Sequence, residues 1–311
     1  MDDGETETGV ASTDPELDAV VAAFMALDPD GHRFAGALRR SIDMLLDGQH
    51  TGRYLWSQLH KTEKTHAGTL VEINLQREFD LADGARMDYQ VAGADVDCKF
   101  SQDLGGWMIP PEAEGELLLL VWASDAESVW SAGVIRAVPD VLTLGGNRDR
   151  KRAIRAAGRS AIRWLFERAP LPENTLLHIP ADDLHAIWAV DSKQKRVDML
   201  FRRVQHRRIS RTVVATVAEQ EDYMKRVRYD GGARSNLQPE GIIILGQSRN
   251  HRAIAAQLGI PESQAGESVS ARVVRLREHP CDRPSAEIEG EHWTLAQPGE
   301  PAERAPRLPK V

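Results

Sequence analysis

Three side chains in one short stretch of this 311-residue chain have the types and spacing for chemistry on a phosphate ester: Asp88, Asp97 and Lys99. In the alternating run around Asp97-Cys98-Lys99, a strand puts Asp97 and Lys99 on one face and Cys98 on the other. Asp88 stands on the preceding run, where a tight hairpin brings it level with Asp97. Two carboxylates meeting at a strand pair repel each other unless a divalent cation sits between them. Mg²⁺, a hard oxygen-seeking ion completed by waters and phosphate oxygens, suits such a pair. The backbone carbonyl of Cys98 is a candidate further ligand. A lysine beside the metal can orient or help deprotonate an attacking water and offset charge growing on phosphorus. Glu72, upstream on a helical run, is the candidate fourth member, reaching the metal through a water or holding a second ion.

An acid followed by D-x-K is the PD-(D/E)xK nuclease pattern, and by itself it is a weak signal. Its competitor is a solvated cross-strand salt bridge among Asp88, Asp97 and Lys99. Apolar Val91, Val96 and Phe100 put the opposite strand face in a core, which favours a built site.

The elements that must position these residues are legible in part. Thr13-Asp14-Pro15-Glu16 reads as a helix start, with apolar spacing continuing to Leu27. A second helix fits Phe34 to Leu46, closed by Asp47-Gly48, and a third runs from about Thr62 to Phe79. Met87–Val91, the turn at Ala92-Gly93-Ala94, and Asp95–Phe100 form a β-hairpin. Leu117–Trp122 and Ala132–Val138 are buried strands, and Arg148–Glu167 is a further helix. The Pro-rich stretch Ala169-Pro170-Leu171-Pro172 marks a boundary, giving an acidic disordered tail at 1–13, a first domain at 14–169 and a second at 170–311. The second domain reads as helices at Val197–Ile209, Arg211–Gln220 and Asp222–Arg228, then a Gly-containing loop and the strand Gly241–Gly246, closing on a loose tail of fifteen residues. Helices followed by a β-ribbon suggest a helix-turn-helix with a wing.

Composition excludes collagen, disordered and disulfide-scaffold classes, with 41% hydrophobic and 28% charged residues. The apolar run Ala19–Leu27 is far too short to span a bilayer and lacks the basic flank of a signal peptide. Two cysteines without a spacing pattern, Cys98 and Cys281, fit a reducing cytoplasm. The formal charge of −8 is misleading as an argument against a polyanionic partner. Nine acidic residues and no basic ones fall in the first thirty, which leaves 39 basic against 38 acidic in the rest. Lys193–Ser235 alone carries twelve Lys and Arg against five Asp and Glu, and local charge is what an approaching polyanion feels.

Val96-Asp97-Cys98-Lys99-Phe100-Ser101, Gly68–Leu75 and Gln58–His66 closely resemble the restriction endonucleases of the NaeI family. The likeness continues through Leu200–Val204, Met224–Arg228, Gly231–Ser235 and Pro239–Gly246, covering nearly the whole chain in order, least clearly at 142–172 and 191–197. The resemblance implies an α/β protein with an N-terminal PD-(D/E)xK endonuclease domain and a C-terminal winged-helix, CAP-like DNA-binding domain. It puts the family's catalytic quartet on Glu72, Asp88, Asp97 and Lys99, with no departure. It further implies a Mg²⁺-dependent type IIE homodimer that cuts both strands of double-stranded DNA at the palindrome GCCGGC after binding a second copy of the site. A cognate DNA methyltransferase would be its functional partner, and no membrane is involved.

Candidate phosphate contacts are Lys61 and Lys64 near the quartet, and Arg202, Arg203, Arg207, Arg208, Arg211, Lys225, Arg226, Arg228 and Arg234 in the second domain. Runs of this kind also occur as solvated helix faces. Leu45-Leu46-Asp47-Gly48 resembles the K-x-D-G motif of DNA ligases, but Leu45 replaces the nucleophilic lysine, so a helix ending at Asp-Gly is the expectation. His60 and His66 have the wrong spacing for a zinc pair on a helix. Two rivals stay open at this stage: a DNA-binding regulator without cleavage, and a repair endonuclease that nicks one strand.

Overall fold

The computed structural model describes residues 14–277 and 282–309. The acidic tail at 1–13 and Cys281 therefore lie outside the described residues. The helices are α1 (Pro15–Leu27), α2 (His32–Leu46), α3 (Gly48–Thr51), α4 (Lys61–Phe79), α5 (Ala181–Trp188), α6 (Lys193–Arg203), α7 (Arg211–Ala218), α8 (Tyr223–Val227), α9 (Ala233–Leu237) and α10 (Arg249–Leu258). The strands of the first half are β1 (Ala82–Asp83), β2 (Tyr89–Val91), β3 (Ala94–Ser101), β4 (Met108–Ile109), β5 (Leu117–Ser124), β6 (Val129–Arg136), β7 (Arg152–Ala153) and β8 (Arg163–Pro170). Those of the second half are β9 (Arg208–Ser210), β10 (Ile242–Leu245), β11 (Glu267–Arg275), β12 (Ser285–Ile288) and β13 (Glu291–Leu295).

Contacts divide this mixed α/β chain into two compact units. The first takes the described residues up to Ile42 together with Lys61–Pro172, and the second takes Asp43–His60 with Glu173 onward. No single cut of the chain describes this division, because α3 packs on α7, far away in sequence. The reason is local. A β-carbon on Gly48 would stand 2.1 Å from Thr216 Oγ1, so only glycine allows that approach. Asp47 adopts the left-handed conformation (φ 48°) that ends α2 and starts the short α3. The Leu45–Gly48 run is thus a helix terminus and a close packing point.

In the first unit, six strands form one sheet in the order β1-β2-β3-β5-β6-β8. The pair β3/β5 is parallel and the others are antiparallel. The strand β5 is buried along nearly its whole length, as its run of leucines requires for a strand covered on both faces. Beside the sheet, Phe24, Phe34, Phe79, Trp130 and Phe166 pack ring against ring with centroids 4.7–6.3 Å apart. The helix α1 starts as its sequence requires: Asp14 accepts from the Leu17 N–H at 3.1 Å, and Pro15 occupies the first helical position.

The expected helix over 148–167 is absent, and β7, a 3-10 turn at Ala156–Ala161 and β8 stand there instead. Tertiary pairing overrides helical spacing. The strand β8 lies antiparallel on β6, and Gly158 sits so close to Val141 that a β-carbon would be 2.6 Å from its carbonyl oxygen.

The second unit holds an antiparallel sheet in the order β10-β11-β13-β12, with β9 also on β11. Its helical core joins Val197, Leu200, Phe201, Val213, Val217 and Leu237. The strand β9 interrupts the helical run expected at Val197–Ile209. The closing residues are not loose as far as they are described: Ala305 and Leu308 are buried beside Ile254, Val273 and Trp293, and the Ala305 N–H donates to the Gln238 carbonyl at 2.8 Å.

Candidate active site

The hairpin of β2 and β3 turns through Ala92 (φ 51°) and Gly93 (φ 84°), both in the positive-φ region that a two-residue I′ turn needs. Register is set by Val91 opposite Ala94, Gln90 opposite Asp95 and Tyr89 opposite Val96. The ladder ends there, and Asp88, one residue before β2, meets β3 through its side chain. Because β3 is flanked by β5 on its other side, its carboxylate and ammonium stand on an interior strand rather than on a free edge.

Within this frame Asp88 Oδ2 accepts from the Cys98 N–H at 2.7 Å. The Lys99 ammonium donates to Asp97 Oδ1 at 2.7 Å and lies 3.3 Å from the Cys98 carbonyl oxygen. It is also 2.6 Å from Asp97 Oδ2. The ammonium thus bridges both oxygens of the Asp97 carboxylate. Asp97 is only 5% exposed. Burial raises its carboxyl to about 6; Lys99 opposes the rise and Asp88 reinforces it. Glu72 is raised too, first by burial, then by Asp88 and Asp97, against the pull of Lys99. Glu72, Asp88, Asp97 and Lys99 thus share one electrostatic neighbourhood.

Tyr89 was not singled out in the sequence, although it adjoins Asp88 on β2. It is fully buried, and its hydroxyl donates to the Glu72 backbone carbonyl at 2.7 Å. Burial drives the Cys98 thiol up to about 12, so it is an inert buried group rather than a nucleophile. Among the described residues, no three His, Cys, Asp or Glu side chains gather as direct ligands around one point.

A carboxylate pair and a lysine at one hairpin, with a glutamate on the neighbouring helix, are suited to phosphodiester chemistry, and comparison with known proteins decides the family. The model of the restriction endonuclease NaeI family matches residues 18–304. The chain belongs to the NaeI restriction endonuclease family. It is 50% identical over 307 residues to the type II restriction enzyme NaeI of Lentzea aerocolonigenes, covering 96% of each chain. As a member of the family it is a site-specific deoxyribonuclease. No helix among the described residues is long and apolar enough to cross a membrane.

The basic residues fall into two groups. Arg202 makes a two-pronged bridge to Glu240, both arms 2.7 Å. Arg203 pairs with Asp183, Arg207 binds Glu173 and the His178 carbonyl, and Arg208 lies 3.9 Å from Glu267. Arg226 donates to Gln220, and the half-buried Arg234 donates to the Ile244 carbonyl. By contrast, Arg211, Lys225 and Arg228 are exposed, and their charged ends meet no carboxylate among the described residues. Lys225 and Arg228 lie on and just after α8, and Arg211 opens α7, which Ser210 caps. Lys61 and Lys64, at the start of α4, likewise meet no carboxylate among the described residues.

Proposed function

We propose that this restriction endonuclease hydrolyses both strands of a short GC-rich palindrome, GCCGGC, with Mg²⁺, as a homodimer stimulated by a second duplex on its C-terminal unit. The first unit is read as a PD-(D/E)xK endonuclease domain and the second as a winged-helix domain. The hairpin carries this reading: Asp88 lies close enough to Asp97 to raise its carboxyl, with Lys99 on Asp97 and Glu72 in range.

The residues present fit a divalent cation. Asp97 is buried, and burial first, then the neighbouring carboxylates, raises Asp97 and Glu72, a cost of charge that a bound cation relieves. Asp88, Asp97 and the Cys98 carbonyl would hold Mg²⁺, with waters completing its shell and Glu72 supporting one of them. Bound there, the cation supplies Lewis-acid charge to a phosphate oxygen and lowers the pKa of water. Lys99, held by Asp97, orients the attacking water and offsets the negative charge developing at phosphorus. The Cys98 N–H fixes Asp88, so the carboxylates need little reorganisation.

In the second unit, Arg211, Lys225 and Arg228 present free charge for a phosphate backbone, while the paired arginines hold the fold. A methyltransferase of the same specificity would protect the host.

Digestion of a plasmid carrying two GCCGGC sites, with Mg²⁺ or EDTA and with fragment ends sequenced, tests this reading. Discrete double-strand cuts at that palindrome, lost in EDTA and in Asp97→Ala, are expected. Cuts at another sequence reject the target, nicks reject double-strand action, and binding without cutting rejects the catalytic reading.

A further inference from the structure

Gly68 stands inside α4, where a glycine weakens a helix relative to alanine. No turn, positive φ or crowded neighbour requires it: a β-carbon built there meets no described atom within 4 Å. The space beside this glycine is therefore open to something outside the chain. At 100° per residue, Lys61, Thr65, Gly68 and Glu72 fall within about 60° of one another on the helix. Lys61 and Thr65 are exposed, and Lys64 borders the same face. Past Glu72 the helix carries the buried Leu75 and Phe79, so the open track ends at the glutamate of the candidate active site.

We propose that this face of α4 is the track on which the backbone of the cleaved strand lies, with Gly68 as its point of closest approach. The proposal rests on the reading of Glu72, Asp88, Asp97 and Lys99 as the cleavage site. Charge complementarity selects the occupant. Two lysines without carboxylate partners among the described residues lead towards the site and offer positive charge to a phosphate backbone. From Lys61 to Glu72 the helix rises roughly 16 Å, at 1.5 Å per residue. Measured along a duplex axis, at 3.4 Å per base pair, that length corresponds to about four to five nucleotides. At Gly68 the absence of a side chain lets the sugar-phosphate backbone touch the helix one turn before Glu72.

The test compares Gly68→Ala, Gly68→Gln, Lys61→Ala and Lys64→Ala with the wild type and with Asp97→Ala, all as full-length protein. Gly68→Ala is expected to melt no lower than the wild type, because alanine favours the helix, yet to lose about tenfold in cleavage kcat/KM, and Gly68→Gln about a hundredfold. Each lysine variant should lower the log–log salt slope of DNA binding in EDTA by about one. Wild-type cleavage kinetics in Gly68→Gln, with Asp97→Ala inactive, overturns the track and leaves the active site standing. Cleavage surviving in Asp97→Ala overturns the underlying reading instead. A change in oligomeric state confined to the Gly68 variants also overturns the proposal, because the face would then pack against a second copy of the chain.

Discussion

The Tyr89 hydroxyl donates to the Glu72 backbone carbonyl at 2.7 Å, tying the hairpin that carries Asp88 and Asp97 to the helix that carries Glu72. The bond spans two elements separated by a loop and a short strand, and its donor is fully buried. Tyr89 touches neither substrate nor reacting atoms in this reading. It sets the distance between groups that do.

Tyr89→Phe keeps the packing and removes this bond together with the hydroxyl's contact to the Cys98 thiol. The expected loss is about 1 kcal/mol of stability, seen as a small drop in melting temperature. Because Glu72 is then less well placed, the Mg²⁺ concentration for half-maximal cleavage should rise about 10-fold or more, in the range found for groups that orient metal ligands. DNA binding measured in EDTA should not change. An unaltered Mg²⁺ requirement would remove Tyr89 from the positioning of Glu72.

The raised carboxyl of Asp97 makes a pH prediction for the metal-free protein. Its folded pKa of about 6 exceeds the ordinary 3.8, so the folded state holds the proton more tightly than the unfolded chain. The stability contributed by that proton is fully present below about pH 4 and is lost as pH rises through 6. Asp97→Asn removes the titration. In EDTA, the unfolding free energy of the variant minus that of the wild type, measured by chemical denaturation, should therefore climb between pH 4 and 7, by an amount on the order of 1–3 kcal/mol. A flat difference would show that Lys99 cancels the cost of burial.

Gly48→Ala should destabilise the second unit by about 1–3 kcal/mol, the usual range for overpacking. The new β-carbon would meet Thr216 Oγ1 at 2.1 Å and the Arg53 carbonyl at 2.9 Å. Chemical denaturation monitored by tryptophan fluorescence measures the loss. Thr216→Ala in the same chain should recover part of it, since one of the crowded atoms is gone.

Paired and unpaired arginines separate by salt dependence. Lys225→Ala or Arg228→Ala should weaken binding of a second duplex and lower its log–log salt slope by about one each. Arg202→Ala should leave the slope as it is and cost about 1 kcal/mol or less in stability, because the bridge to Glu240 is partly exposed. Equal salt effects from both groups would dissolve the distinction.

Much of the site was legible in the chain. The alternation around Asp97-Cys98-Lys99 puts acid and amine on one strand face by geometry alone, and Ala92-Gly93 has the size and freedom of a tight hairpin turn. The starts of α1 and α4 were readable to within a residue, because caps and apolar spacing are local signals. What local spacing could not supply was the partner of each group. Whether 152–170 is helix or strand depended on β6 being there to pair with β8. The arginines of 202–234 look alike in sequence, and only the folded chain separates those facing Glu240, Asp183 or Glu173 from Lys225 and Arg228, which face solvent. The same holds for Tyr89 and Glu72, and for Gly48 and Thr216. Residue type and spacing determined which chemistry was available. Long-range packing, whose free energy belongs to pairs distant in sequence, decided which side chains were engaged and which were left exposed.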